Sequence, residues 1–218
     1  FKVVYRRHTN FSMECIQQTI NGISVISDTY TTSGTVTISR NGDLLNQIYI
    51  RCDQDNSNGI NGDYLVEDVE IEIGGQRIDK HYREWNQIWS ELTTPESKVN
   101  GFKYLTGGFS NTLITGNGTL QQSIMYPLQF WFCRNIGLAL PLIALQYHDV
   151  KLQFTWGSGA LADGISRSGL AAVTPTIEVW ADYIYLDTDE RRRFAQVSHE
   201  YLIEQLQIQE EGSSRSTI

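Results

Sequence analysis

Alternation of apolar and polar residues at every second position constrains this chain more than any other feature. Val36 and Ile38 alternate with Thr35, Thr37 and Ser39; Ile48, Ile50 and Cys52 with Gln47, Tyr49 and Arg51; Val69, Ile71 and Ile73 with Asp68, Glu70 and Glu72. Leu128, Phe130 and Phe132 alternate with Gln129 and Trp131, and Val150, Leu152, Phe154 and Trp156 with Lys151, Gln153 and Thr155. Successive side chains of a strand point to opposite faces, so a strand with one buried and one wet face must read this way. Segments 11–20, 138–146 and 176–186 bring the expected strands to eight. Asn41-Gly42, Gly74-Gly75 and Gly157-Ser158-Gly159 are turn signals between them. The expectation is an all-β fold, an eight-stranded antiparallel jelly-roll sandwich with a few short helices in its loops.

Helical signals are sparse. Asp79 is placed to cap a segment in which Tyr82, Trp85, Ile88, Trp89 and Leu92 fall near helical spacing. Thr94-Pro95-Glu96 reads as an N-cap with proline at the first helical position. Asp187-Thr188-Asp189-Glu190 resembles a capping box with Asp in the cap role, its acids facing the positive end of the helix dipole. Arg191, Arg192, Arg193 and Phe194 follow. Stretches 53–63, 106–119 and 157–175, rich in Gly, Asn, Ser and Thr, are expected as surface loops. Residues 199–211 begin a new apolar pattern too short for a domain and read as a linker. Because position 1 is Phe in strand-like text, the sequence is expected to be a processed or truncated piece.

The 218 residues carry 17 basic and 25 acidic side chains, a net charge of −8. A net anion repels phosphate backbones, so direct contact with nucleic acid is not expected. Cys15, Cys52 and Cys133 are odd in number and far apart, which argues for reduced thiols and against a disulfide framework or a zinc knuckle. The longest apolar run, Gly137 to Leu145, is too short to span a bilayer.

Catalytic readings fail on residue supply. His8, His81, His148 and His199 form no HxH or HxxxH pair, no GxSxG elbow occurs, and no Walker loop surrounds Gly116-Asn117-Gly118. No catalytic residue, metal or cofactor is expected. His148-Asp149 has no nucleophile beside it and reads as a polar pair at a strand end. In the loop 53–63, Asp53, Asp55 and Ser57 match EF-hand positions, but Asn58 and Tyr64 replace the required Gly and Glu, so a solvated acidic loop is favoured. Arg191 to Arg193 point in different directions on a helix and sit beside three acids, which favours local ion pairs over a phosphate patch. Trp85 and Trp89 at i, i+4 fit packing onto the sandwich better than a sugar-stacking shelf. Asn10 and Asn117 open N-x-S/T sequons and are the candidate glycosylation sites.

Two stretches carry a specific likeness: PLQFWFCRNIGLALPLIALQYHDVKL at 127–152 and DYIYLDTDERRRFAQVSHEYLIEQL at 182–206. Both resemble the major capsid proteins of nucleocytoplasmic large DNA viruses, and the opening YRRHTNFSMECIQQTI resembles the first strand of that family. The resemblance implies the first of two successive jelly rolls, at 1–197, followed at 198–218 by a linker and the start of a second. It implies Asp187, Glu190, Arg191, Arg192, Arg193 and Phe194 in a helix joining the halves. It further implies a structural virion protein whose homotrimers form pseudo-hexagonal capsomers that tile an icosahedral outer shell. Neighbouring capsomers, minor capsid and penton proteins would be partners, with assembly in host cytoplasm and an internal membrane nearby but not spanned. The faces of 176–186, with Trp180, Ile184 and Leu186 opposite Val179, Tyr183 and Tyr185, are the expected subunit contacts. The competing reading is a carbohydrate-binding β-sandwich, lectin-like or a host-attachment module, with its site in loops 53–63 and 106–119.

Overall fold

The computed structural model describes residues 10–26, 30–55, 62–107, 121–157 and 176–209. Asn117 and most of the three long loops therefore lie outside the described residues. Ten strands are present among them: β1 (Phe11–Gln18), β2 (Ile20–Gly22), β3 (Thr32–Thr37), β4 (Leu44–Asp55), β5 (Val66–Ile73), β6 (Gln76–Tyr82), β7 (Gln121–Pro127), β8 (Leu140–Pro141), β9 (Val150–Trp156) and β10 (Ile177–Leu186). Four α-helices accompany them: α1 (Arg83–Thr93), α2 (Glu96–Thr106), α3 (Trp131–Arg134) and α4 (Thr188–Gln196). Short 3-10 turns occupy Gly62–Leu65 and Ile136–Leu138.

Every pairing is antiparallel. One sheet runs β1-β10-β4-β7, with β8 also on β4; the other runs β2-β3-β9-β5-β6. This interleaving of early and late strands is that of a jelly roll. The alternation explains which faces meet. Ile50 lies opposite Val179 and Tyr126 in the first sheet, and Leu152 lies opposite Ile71 and Val36 in the second. All six are buried in one hydrophobic cluster between the sheets. Phe154 and Trp156, two apart on β9, stack with ring centroids 4.6 Å apart. The Trp156 indole donates to the Ile23 carbonyl at 2.7 Å, and a Cβ at Gly34 would sit only 3.1 Å from that indole nitrogen. A glycine in mid-strand here makes room for the largest core side chain.

Five expectations are corrected. Ten strands stand where eight are read from the sequence, although β2 and β8 span only three and two residues. Residues 128–132 are not a strand. Leu128, Phe130, Trp131, Phe132 and Cys133 are all buried, so no wet face exists for the alternation to report. The strand is the preceding β7, and beyond Pro127 the chain tightens into α3, with the Cys133 amide donating to Phe130 O. Segment 138–146 is mostly turn. Pro141 has no amide for a ladder, and Ala144, Leu145 and His148 each donate to the carbonyl three residues back. Asp79 is not a helix cap but lies within β6. Gly74 and Gly75, at φ 61° and 84°, form a tight turn that carries the chain from β5 into β6, so Val69 pairs with His81. The helix starts only at Arg83. At 94–96, Pro95 is the N-cap of α2 and Glu96 opens the helix, one residue later than the sequence suggests.

Candidate assembly surfaces

The expected contact strand, β10, divides its residues between three environments. Val179, Ala181 and Tyr183 face the core. The Tyr183 hydroxyl donates to Ser39 O at 2.7 Å and lies 3.0 Å from Gln18 Oε1, which ties β1, β10 and the chain after β3 together. Ile184 faces outward yet is only 4% exposed, because it packs with Leu44, Ala139, Leu186 and Phe194. The expected open apolar face is thus covered from within the chain by α4, and Trp180 is left partly exposed beside Tyr49.

What fixes α4 is local chemistry. Asp187 caps it, accepting from the Thr188 amide at 2.7 Å. Arg191 reaches back to Asp43, whose carboxylate it meets at 3.0 Å through both Nε and Nη2. The same carboxylate accepts the Leu186 amide at 2.8 Å. Phe194 stacks on His199 at 4.9 Å, and the His199 ring nitrogen lies 2.7 Å from Phe194 O. Of the expected helix residues, Arg191 and Phe194 are brought into contacts with the sandwich, whereas Arg192 and Arg193 are exposed. Asp43, which is 8% exposed, was not singled out from the sequence. Only its Asn41-Gly42 turn neighbours gave a signal there.

The outer face of the first sheet is partly bare. Phe11 is 60% and Met13 46% exposed on β1, which is an edge strand. Beside β4 and β7, a groove of about 600 Å³ opens between Tyr49, Pro127 and Leu128 on the sheet side and Phe102 and Leu105 on α2. Cys133 lies at its floor, its thiol pushed up to about 12 by burial. Burial, followed by the charge of Asp182, holds the Tyr49 hydroxyl at about 12. Cys15, on the outer side of β1, is raised to about 12 by burial and by its hydrogen bond with Asp182. All three cysteines are free.

The other singled-out residues sit as follows. Asn10 is exposed where β1 begins. His148 lies against Gly74, and the Asp149 carboxylate turns to Arg40 at 3.8 Å. Trp85 and Trp89 are partly buried with centroids 5.7 Å apart, and the Arg134 guanidinium covers the Trp89 ring at 3.9 Å. They pack, as expected, instead of forming a bare shelf. Among the described residues no three His, Cys, Asp or Glu side chains gather as a metal site, and no helix is long and apolar enough to cross a membrane.

Comparison with known proteins gives one answer. The family model for the major capsid protein N-terminus matches residues 1–187. A major capsid protein of Pyramimonas orientalis virus is 52% identical over the whole chain, which covers 55% of that relative. That of Paramecium bursaria Chlorella virus 1 is 45% identical, again over the whole chain and 49% of the relative. The chain thus spans about half the length of these curated relatives. The quasi-atomic structure of the PBCV-1 virus capsid superposes with a TM-score of 0.79 over 95% of this chain and 50% of that one. The Faustovirus major capsid protein, at 10% identity and a TM-score of 0.60, shares the fold. With the jelly-roll strand order, the covering helix and these matches in place, the chain belongs to the major capsid protein family of nucleocytoplasmic large DNA viruses, whose N-terminal region it matches.

Proposed function

We propose that the full-length protein is a structural subunit of an icosahedral virion, and that its homotrimers form pseudo-hexagonal capsomers tiling the outer shell. The observation that carries this reading is the close match of nearly the whole chain, at 45% identity, to a protein placed in an assembled capsid. In this reading residues 1–197 are a first jelly roll, and 198–218 lead into a second; the roughly doubled length of the relatives supports it. The helix carrying Asp187, Glu190, Arg191, Arg192, Arg193 and Phe194 joins the two. The bare outer face at Phe11, Met13 and Trp180, together with the groove beside α2, suits burial against further protein, since exposed apolar patches are where subunits meet.

Minor capsid and penton proteins, an internal membrane that the subunit does not span, and assembly in host cytoplasm complete the proposal. The net charge of −8 suits a shell that leaves the genome to other components. No catalytic role, metal or cofactor is proposed. Asn10 is an accessible position for a glycan, and Asn117 is retained as the second sequon. The test is the mass of the purified full-length protein by multi-angle light scattering. Compact trimers are expected, and a monomer persisting at high concentration sinks the reading.

A further inference from the structure

We propose that buried Asp79 positions the extended segment 204–206 as a strap over the free edge of β6, so that the polypeptide beyond Leu206 leaves from one fixed corner of the sandwich. The residue itself raises the question. Asp79 lies opposite Ile71, whose side chain is in the core, and is 4% exposed. An acid at a core-facing position is unfavourable unless donors meet its charge. Asp79 Oδ1 accepts the Lys80 amide and the Leu206 amide, each at 2.9 Å. Its other oxygen lies 2.9 Å from Nε2 of His81, which is itself 1% exposed. The Leu206 amide comes from outside the sandwich, and it gives the buried charge a purpose that β6 alone does not.

Three consecutive residues of the strap are held by three different chemistries. Glu204 pairs with Arg134 of α3 at 2.5 Å, and the same guanidinium stacks on Trp89 of α1. The Gln205 side-chain amide donates to the Ile78 carbonyl. Leu206 gives its backbone amide to Asp79. A charge pair, a side-chain amide and a main-chain amide in sequence define one register, because sliding by one residue breaks all three. β6 is also an edge strand, and an edge covered by its own chain cannot recruit a foreign strand. The strap lines a small, partly open cavity of about 170 Å³ together with His81, Trp85 and Trp89.

The test uses full-length protein and the rate of cleavage after Glu204 by a glutamate-specific protease, with circular dichroism reporting on the sandwich. Leu206→Pro removes the donated amide and leaves every sandwich residue in place. Asp79→Ala removes the acceptor, and Asp79→Asn keeps an acceptor oxygen. Cleavage of L206P and D79A is expected to rise about tenfold or more, since proteolysis follows the open population and a bond to a buried charge is lost. D79N should stay close to the parent rate. Parental cleavage of L206P overturns the proposal, and so does loss of the folded sandwich in L206P, which would make the segment part of the core. Should D79A fail to fold, L206P and D79N decide alone. The readout here is cleavage and not mass, so this outcome is separate from that of the assembly reading.

Discussion

At the residue scale, two buried polar choices set what single substitutions do. Asp43 serves the Leu186 amide and the Arg191 guanidinium at once, and so joins the end of β10 to α4. Arg191→Ala is expected to cost about 1 kcal/mol, a low value because the guanidinium is half exposed and its charge is screened. Arg193→Ala, on the bare side of α4, should stay within about 0.5 kcal/mol. Chemical denaturation of the two variants checks the contrast, and equal losses would refute a stabilising role for the Asp43–Arg191 pair. Cys133 makes a prediction about pH. Its folded value near 12, against a usual 9.0, means the folded chain keeps a proton that the unfolded chain releases. That contribution is complete below pH 9 and is lost as pH rises toward 12, so stability should decline through this alkaline window. Cys133→Ala should flatten part of the decline in urea midpoints measured across it. Tyr49 and Cys15 shift the same way, so the slope should shrink without vanishing.

At the element scale, the sandwich depends on how its second sheet accommodates Trp156. β9 supplies four inward side chains, Val150, Leu152, Phe154 and Trp156, and the last fills the space left by Gly34. Trp156→Ala removes the stack on Phe154 and the bond to Ile23 O, and it leaves a cavity that two sheets cannot both close. A loss of about 3–5 kcal/mol is expected, read as a lower thermal midpoint with the strand signal retained. β9 was fully legible in the sequence because one of its faces is wet. β6 was not, because its inward positions hold Asp79 and His81, polar residues that the apolar count passes over. α3 was misread for the opposite reason: with nearly every side chain of 128–133 buried, alternation carries no information about the backbone. The cap of α4 was legible, since Asp187 acts on its own neighbour Thr188.

At the scale of the whole molecule, one continuous core joins the two sheets, while the outer face of the first keeps exposed Phe11 and Met13. If trimers bury this face, the midpoint of thermal unfolding should rise with the concentration of full-length protein, as mass action requires of an assembly. A midpoint independent of concentration would argue against the trimer itself. Sequence by itself determined the fold class, the inward faces of β3, β4, β5 and β9, the family and the cap of α4. The family was legible only as a resemblance carried by the stretches 127–152 and 182–206, whereas the rest is written either in the two-residue period or in contacts between near neighbours. Tertiary structure alone decided that α4 covers Ile184 and Leu186, that Asp43 holds Arg191, and that Asp79 meets Leu206 across the edge of β6. These pairs stand 148 and 127 residues apart for Asp43–Arg191 and Asp79–Leu206, and no local pattern records a partner that only the folding of two sheets brings within 3 Å.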